Sequence, residues 1–263
     1  MSDTDNNSAV IVEKKGPIGV LTLNRPEAMN ALSRDLRDQF AQAFVDFQAD
    51  EAIRAVIVTG NGKAFCAGFD LKEMASGGDA SAAETQQNTM ASAMSDFDGP
   101  IIAAVNGFAI TGGFEIALAC DMIIAADNAK FADTHARVGI LPGWGLSQRL
   151  PRLIGLARAK ELSFTGNSID AQQAYDWGLV NRVVEAEQLL PVCEQLATDM
   201  ASCVAPILKG YKKLIDTGYN MPLDDALVYE ADIGMESAKA ASAAMIASRR
   251  DAVLERGRKQ DKQ

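Results

Sequence analysis

A glycine pair followed by a glutamate is the first feature of this sequence that could do chemistry. Gly112 and Gly113 separate the apolar run at 101–105 from a second apolar run at 114–120, which predicts a strand, a tight turn and a helix. The N–H of Gly112 is then unpaired at the positive end of that helix, where it can hold a developing oxyanion. Glu115, in the first helical turn, either compensates the helix dipole or acts as a placed acid–base group.

A second amide of this kind is predicted at Phe69. Asp70 is followed three residues later by Glu73, a spacing that resembles a capping box, so the Phe69 N–H is expected just outside a helix start. Two amides from separate loops can hold one oxygen from two sides. With Glu115 and His135, the single histidine of the chain, this set suits stabilisation of a thioester enolate, in which a carboxylate and an imidazole move the protons.

Short apolar runs predict the strands that must position these groups. They are rich in β-branched residues and bounded by glycine, proline or asparagine, and they cover residues 10–13, 18–23, 55–59 and 101–105. Ser33 is the predicted N-cap of a helix at 34–48. The apolar face of that helix is expected to pack in the core and comprises Leu36, Phe40, Phe44 and Phe47.

The later part of the sequence is predicted to be mainly helical. Ser147 is the predicted cap of a helix that ends near Ile154, and from Glu187 onward the apolar pattern is that of helices. Breaks are expected where proline and glycine interrupt this pattern, at Pro206, at 218–222 and at Gly234. The chain is therefore expected to consist of a β-rich core and a helical appendage, a region that often serves in assembly.

Composition argues against several classes of function. The net charge of −10 over 263 residues disfavours nucleic acid as the main partner, because phosphate binding depends on clustered lysine and arginine. The polar, acidic start MSDTDNNSAV is unlike a signal peptide, and no apolar run approaches the ~20 residues that span a bilayer. Four widely spaced cysteines without a CxxC pair are expected to be reduced, buried thiols of a cytoplasmic protein, and a single histidine argues against a zinc site.

Motifs of other enzyme classes are missing from the sequence. No GxGxxG follows a strand and GxxxxGK[ST] does not occur, which argues against dinucleotide and P-loop sites. No GxSxG is present, so a hydrolase nucleophile on a strand–helix turn is not supported. A Ser–His–Asp triad would need His135, and no serine has a matching signature.

Several long motifs together resemble the crotonase, or enoyl-CoA hydratase, superfamily. They are LTLNRPEAMNALS at 21–33, AFCAGFDLKEM at 64–74, AVNGFAITGGFEIALACDMIIA at 104–125, the LPGWG…QRLPRLIG run at 141–155 and AYDWGLVNRVV at 174–184. The resemblance covers essentially the whole chain. It implies an α/β fold with a crotonase-like right-handed spiral of ββα turns at 9–198 and a C-terminal α-helical trimerisation region at 199–263. The residues before this core, 1–8, are expected to be a disordered tail. Homotrimers or dimers of trimers are expected.

The resemblance also implies a binding site for an acyl-CoA thioester. Its two oxyanion amides map onto Phe69 and Gly112, and Gly143 matches the backbone group that orients the water in hydratases. Trp144 stands where the family commonly has a small residue, and is expected to reshape the acyl pocket. The site is further expected to be lined by Ala67, Asp70, Leu71 and Lys72. Candidate neighbours of the CoA phosphates lie at Arg25, Ala28, Arg249 and Arg250, and the arginines among them are otherwise expected to be solvated helix charges.

One feature of the superfamily is replaced in this sequence. Typical hydratases use two glutamates; the first matches Glu115, but the second falls on His135. His135 either lines the pocket without a useful titration or takes the place of the glutamate as proton donor. Gly143 stands where related chlorobenzoyl-CoA dehalogenases carry a nucleophilic aspartate, so that reaction is not expected.

The resemblance therefore implies reversible addition of water to a 2-enoyl-CoA. Glu115 is expected to activate the water, and His135 or a water to give the α-proton. Because the second glutamate is missing, double-bond isomerisation, decarboxylation and thioester hydrolysis remain alternatives, as does a non-catalytic acyl-CoA-binding or assembly role. No cofactor is expected beyond the coenzyme A that the substrate carries, and neither a membrane nor nucleic acid is expected as a partner.

Overall fold

The computed structural model describes residues 8–76 and 90–260, and the described chain contains ten strands and eleven labelled helices. The strands are β1 (Val10–Lys15), β2 (Ile18–Leu23), β3 (Ala55–Gly60), β4 (Ala64–Cys66), β5 (Ile101–Val105), β6 (Phe108–Ile110), β7 (Met122–Ala126), β8 (Lys130–Ala132), β9 (Ser168–Asp170) and β10 (Arg182–Val184). The predicted tail at 1–8 lies outside the described residues except for Ser8, whose hydroxyl donates to Gln39 Oε1 at 2.6 Å.

The helices carry the rest of the regular structure. They are α1 (Arg34–Ala49), α2 (Leu71–Ala75), α3 (Gly112–Ala119), α4 (His135–Val138), α5 (Leu146–Ile154), α6 (Leu156–Thr165), α7 (Ala171–Asp176), α8 (Leu189–Ala201), α9 (Ala205–Gly218), α10 (Leu223–Ala240) and α11 (Ala243–Gln260). Single 3-10 turns occur at Pro26–Ala28 and Ala186–Gln188, and residues 90–95 are also helical.

The described strands form two sheets, and much of the chain repeats a ββα unit that contributes one strand to each sheet. The larger sheet has the order β1-β2-β3-β5-β7-β10 and is parallel beyond the β1–β2 hairpin. The smaller sheet has the order β4-β6-β8-β9, with only the β8–β9 pair antiparallel. The consecutive pairs β3–β4, β5–β6 and β7–β8 each place one strand in each sheet, and a helix follows each pair. The predicted α/β class is confirmed.

The larger sheet is buried on both faces, which explains why its strands are continuous apolar runs. In β3, Val56 and Val58 pack into one hydrophobic cluster, which also holds the aromatic side chains of α1. The alternate residues, Ala55 and Ile57, pack into a second cluster against α8. Because side chains of a strand alternate between its faces, a strand covered on both sides must be apolar at every position.

Two local predictions of helix structure are confirmed. Ser33 is the N-cap of α1 and its hydroxyl accepts from Leu36 N at 3.3 Å. Three phenylalanines of the predicted apolar face are buried to within 1% exposure, Phe40, Phe44 and Phe47. Their rings contact one another, with centroids 5.1 Å and 6.1 Å apart for the two successive pairs.

Other local predictions are wrong. The chain does not pass directly from β5 through a turn to a helix, because β6 intervenes and pairs with β4 and β8. Gly145, not Ser147, is the N-cap of α5. The helix α10 continues through Gly234, since its other residues outweigh a glycine cost of about 1 kcal/mol. Cys203 is exposed and Cys120 half-buried, so only two of the four thiols are buried, although all four are free.

The chain divides into two compact units, Met1–Lys209 and Gly210–Gln263. The first contains both sheets, and the described part of the second consists of α10, α11 and the end of α9. None of the helices in the described ranges combines the length and the hydropathy that crossing a bilayer requires. The expected boundary between 198 and 199, the trimerisation role of the helical region and the cytoplasmic location stay predictions.

Candidate functional site

The helix α3 begins in a strained, closely packed corner beside β4. Thr111, which precedes it, has a φ of +51°, a conformation that residues with a β-carbon rarely adopt. A β-carbon added to Gly113 would lie 2.1 Å from the carbonyl oxygen of Cys66, so only glycine allows this approach of helix and strand. The sequence signal that marked the helix start is thus a packing requirement that fixes the position of the α3 N-terminus.

The loop after β4 lies directly against the first residue of α3. Gly68 has a φ of +87°, and a β-carbon on it would lie 3.2 Å from the Gly112 nitrogen. Leu32 N donates to Gly68 O at 2.8 Å, and Leu32 also forms an isolated parallel bridge with Phe69. With the described residues, the N–H groups of Phe69 and Gly112 form no hydrogen bond. The structure thus brings the two predicted donor amides to neighbouring positions.

Asp70 caps α2, but the predicted capping box is only half formed. Its Oδ1 accepts from Lys72 N at 3.1 Å and from Glu73 N at 3.3 Å. Glu73 does not return to the cap; its Oε2 accepts from Arg34 N at 2.9 Å, which ties α2 to the start of α1. The cap that places Phe69 just before α2 therefore depends on Asp70 alone.

Glu115 is a buried carboxylate with a defined orientation. It is 1% exposed, although it belongs to the first turn of a helix. Its Oε1 accepts from the backbone N–H groups of Trp144, at 2.8 Å, and Leu146, at 3.3 Å. Its Oε2 lies 3.5 Å from His135 Nε2. A dipole-compensating glutamate would lie in solvent, so this burial favours the placed acid–base group.

His135 lies at the start of α4 between two carboxylates. It is 6% exposed, and its Nδ1 lies 2.7 Å from Oδ1 of Asp133, while Nε2 faces Glu115. Burial lowers the pKa of His135, but hydrogen bonding to Asp133 and Glu115 and the charges of both carboxylates raise it to about 9. The imidazole is therefore charged at neutral pH.

Asp133 belongs to this buried cluster and was missed by sequence reasoning. It is 2% exposed and follows β8 directly. Burial raises its pKa, but hydrogen bonds from the ring and backbone of His135 and from Ser163 hold the pKa below its ordinary value. The available signal was an aspartate two residues before the single histidine of the chain.

A cavity of about 630 Å³, part of it open to solvent, joins these groups. Its polar lining consists of Glu115, His135, Thr111, Thr134 and the backbone at Gly143. The remaining lining is apolar and consists of Ala67, Phe69, Leu71, Met74, Val138, Ile140, Leu141 and Trp144. The cavity thus combines a small acid–base cluster with an apolar wall, an arrangement typical of ligand pockets.

The two aromatic residues of the wall pack against each other, and Arg37 packs against one of them. The Phe69 ring lies 5.3 Å from the Trp144 ring, and the guanidinium carbon of Arg37 lies 5.3 Å from the centre of the Phe69 ring. Arg37 is 6% exposed and its Nη1 donates to Leu32 O at 2.9 Å. Helix α1 therefore supports the loop that carries the Phe69 amide.

Comparison with known proteins identifies the family. The family model described as enoyl-CoA hydratase/isomerase matches residues 13–259. The chain belongs to the enoyl-CoA hydratase/isomerase family. The resemblance to the crotonase superfamily that the motifs carried is thereby confirmed.

Similar proteins agree with this family assignment. A probable peroxisomal enoyl-CoA hydratase 1 of Arabidopsis thaliana is 41% identical over 88% of this chain and 88% of its own. A short-chain-enoyl-CoA hydratase of Clostridium acetobutylicum is 39% identical over 85% and 87%. The crystal structure of an enoyl-CoA hydratase from Bacillus anthracis has a TM-score of 0.80 at 37% identity, and covers 85% of this chain and 88% of its own.

Some residues that the family resemblance suggested do not line the cavity. Gly112, Asp70 and Lys72 are outside its lining. Arg25 Nη1 donates to Ala31 O at 2.6 Å and lies 3.1 Å from Asp70 Oδ2, so it joins the segment before α1 to the N-cap of α2. Ala28 ends that turn, while two further candidates, Arg249 and Arg250, are exposed on α11 of the second unit. Their contacts with substrate stay predictions.

His135 is expected to make the free energy of unfolding of this protein depend on pH. The pKa of His135 rises from 6.5 to about 9 on folding, so its stabilising contribution is complete below pH 6.5 and lost as pH rises through about 9. Between about pH 6 and pH 10, the stability advantage of the wild type over His135→Gln should shrink by on the order of 3 kcal/mol. Urea unfolding of both proteins measures this advantage, and an advantage that grows with pH would contradict the assignment.

Proposed function

We propose that this chain is an enoyl-CoA hydratase that adds water reversibly to a 2-enoyl-CoA. The carrying observation is the buried Glu115 carboxylate, with one oxygen fixed by two backbone amides and the other 3.5 Å from His135 Nε2, on an apolar cavity. The names of the relatives, which share about two fifths of their residues with this chain, point to the same reaction.

The first proposed step is binding of the thioester by its carbonyl oxygen. The Phe69 and Gly112 N–H groups come from separate loops that lie against each other, and the described protein offers them no acceptor. A carbonyl oxygen placed between them gains more from these donors as it becomes an enolate, so the interaction favours the transition state. The apolar residues around Trp144 would then cover the acyl chain.

The second proposed step is addition of water at Cβ. Glu115 takes a proton from the water, the water oxygen bonds to Cβ, and the π electrons move through Cα to the thioester oxygen. The N–H of Trp144 and of Leu146 keep the carboxylate in one orientation, which removes the entropic cost of placing it. The product of this step is an enolate held by the two amides.

The third proposed step is protonation of Cα by His135. The charged imidazole gives its Nε2 proton to Cα, and the enolate returns to a thioester carbonyl. The proton on Glu115 then passes across the 3.5 Å gap to His135 Nε2, which restores both groups. Water is the only reactant consumed besides the thioester, so the proposed reaction needs no cofactor other than the coenzyme A of the substrate.

Assembly into a homotrimer or a dimer of trimers is part of this proposal. The second unit exposes large apolar side chains that a monomer would leave in water, among them Tyr211, Ile215, Tyr219, Leu223, Leu227 and Val253. Many exposed large apolar side chains in one region are characteristic of a protein that associates with another chain. The exposure supports a self-association role for the helical region.

The test is hydration of crotonyl-CoA and of longer 2-enoyl-CoAs. Loss of the enoyl-thioester absorbance should accompany a product heavier by one water, as measured by mass spectrometry. Substrates with a series of acyl chain lengths are needed, because the cavity does not indicate which length binds. No turnover above background across that set would refute the proposed hydratase activity.

A second reaction is favoured by the replacement of the other glutamate by a histidine. A charged imidazole 3.5 Å from a carboxylate can move a proton along an acyl chain, so double-bond isomerisation is the alternative for this site. Mass spectrometry separates the outcomes, since isomerisation leaves the mass unchanged. Decarboxylation lowers the mass, and thioester hydrolysis releases free coenzyme A.

A further inference from the structure

We propose that Asp133 is a positioning residue that holds His135 with its Nε2 proton facing Glu115 and the cavity. This inference rests on the proposed hydratase function and deepens it, because it names the group that makes a histidine competent where two glutamates are usual. Asp133 itself lies outside the cavity lining, so it acts only through His135.

The geometry of Asp133 fixes which ring nitrogen faces the cavity. Oδ1 of Asp133 lies 2.7 Å from His135 Nδ1 and also accepts from the His135 backbone N–H at 3.1 Å. These two contacts with one residue leave the ring a single orientation. Because the carboxylate can only accept, Nδ1 must carry a proton, and the other nitrogen faces Glu115.

The loop that carries Asp133 is itself fixed on both sides. The Thr134 backbone N–H donates to Thr111 Oγ1 at 3.2 Å, and the two threonine hydroxyls are hydrogen-bonded to each other. Thr111 N also donates to Ala132 O at 2.9 Å, which ties β8 to the start of α3. The segments that carry Asp133 and Glu115 are therefore joined directly, and His135 is held between them.

The charged groups that face the imidazole account for its proton affinity. Glu115 approaches it from α3 and Asp133 from the end of β8, while the hydroxyl of Ser163 on α6 hydrogen-bonds Asp133. Two carboxylates and one imidazolium leave this buried cluster with one net negative charge. Removal of the Asp133 charge should lower the pKa of His135. Burial disfavours the charged ring, and only the Glu115 carboxylate would remain to stabilise it.

The single histidine of the chain makes this test direct. In the full-length protein labelled with ¹⁵N-histidine, every imidazole signal belongs to His135, so its tautomer and pKa are read without assignment. Asp133→Asn should lower the imidazole pKa by roughly 1–3 pH units and populate a second neutral tautomer. On crotonyl-CoA, kcat should fall about 10-fold to 100-fold with KM nearly unchanged.

Controls separate positioning from unfolding and from a failure of the proposed function. Asp127→Asn removes the same charge from an exposed residue in the turn between β7 and β8, and should change neither the titration nor kcat. Asp133→Glu, which keeps the charge, should retain a raised pKa. An imidazole pKa and tautomer that are unchanged in Asp133→Asn would overturn the positioning role whatever the activity. If the wild type hydrates nothing but its pKa still depends on Asp133, the pairing is supported and only the hydratase function fails.

Discussion

Glu115→Gln should lower kcat on crotonyl-CoA by about 10²- to 10⁴-fold, the loss expected when a positioned proton acceptor is removed. Glutamine keeps an oxygen that can accept from Trp144 N and Leu146 N, so the loop after α4 should stay in place. The NH₂ group that replaces Oε2 cannot take a proton from water, and it would face the charged His135 ring. KM should change little, because the oxyanion amides and the apolar wall are untouched.

The matched control for this substitution is Glu13→Gln. Glu13 is an exposed residue of β1, and its substitution makes the same change in charge and shape as Glu115→Gln. We expect wild-type kcat and unchanged thermal unfolding for the control. Glu115→Gln should unfold at a lower temperature, because the buried His135 cation loses one of the two carboxylates that face it. Equal activity of Glu115→Gln and wild type would mean that the buried carboxylate does not activate the water.

Gly113→Ala should destabilise the first unit by about 3 kcal/mol, the upper end of the usual cost of overpacking, and abolish activity. The added β-carbon would lie 2.1 Å from Cys66 O and 2.7 Å from Cys66 C, and a backbone cannot yield as a flexible side chain does. To relieve this contact, α3 would have to move away from β4. Its N-terminus would carry the Gly112 amide and Glu115 out of register with Phe69.

The same substitution elsewhere in the chain should have the opposite sign. Gly210 lies within α9, and a β-carbon on it meets no atom within 4 Å. Gly210→Ala should therefore gain about 0.5–1 kcal/mol from helix propensity. Urea unfolding measures both variants, and a Gly113→Ala protein as stable as the wild type would show that α3 does not depend on this contact.

Local features were predictable because their causes lie within a few residues. The hydroxyl of Ser33 caps α1 through Leu36, and the phenylalanine spacing of that helix matches the one buried face. β6 was missed because it has three residues and exists only through its pairing with β4 and β8, which come from distant parts of the chain. The helix break predicted at Gly234 does not occur, because the low helix propensity of one glycine is a weak effect within a long helix.

The sequence predicted most residues of the candidate site, but not the contacts between them. The motifs indicated Glu115 and His135 separately, yet their 3.5 Å approach depends on how α3 and α4 pack. Asp133 has no motif of its own, and its role follows only from the direction in which the His135 ring points. Likewise, the two amides that hold Glu115 belong to residues 29 and 31 positions away in the chain.

The most direct test of the account is a crystal structure with a saturated acyl-CoA, which cannot be hydrated. We predict the thioester oxygen within about 2.7–3.2 Å of both the Phe69 and Gly112 nitrogens, with Glu115 Oε2 and His135 Nε2 facing Cβ and Cα of the acyl chain. A thioester oxygen that contacts neither nitrogen, or an acyl chain outside the cavity beside Trp144, would contradict it.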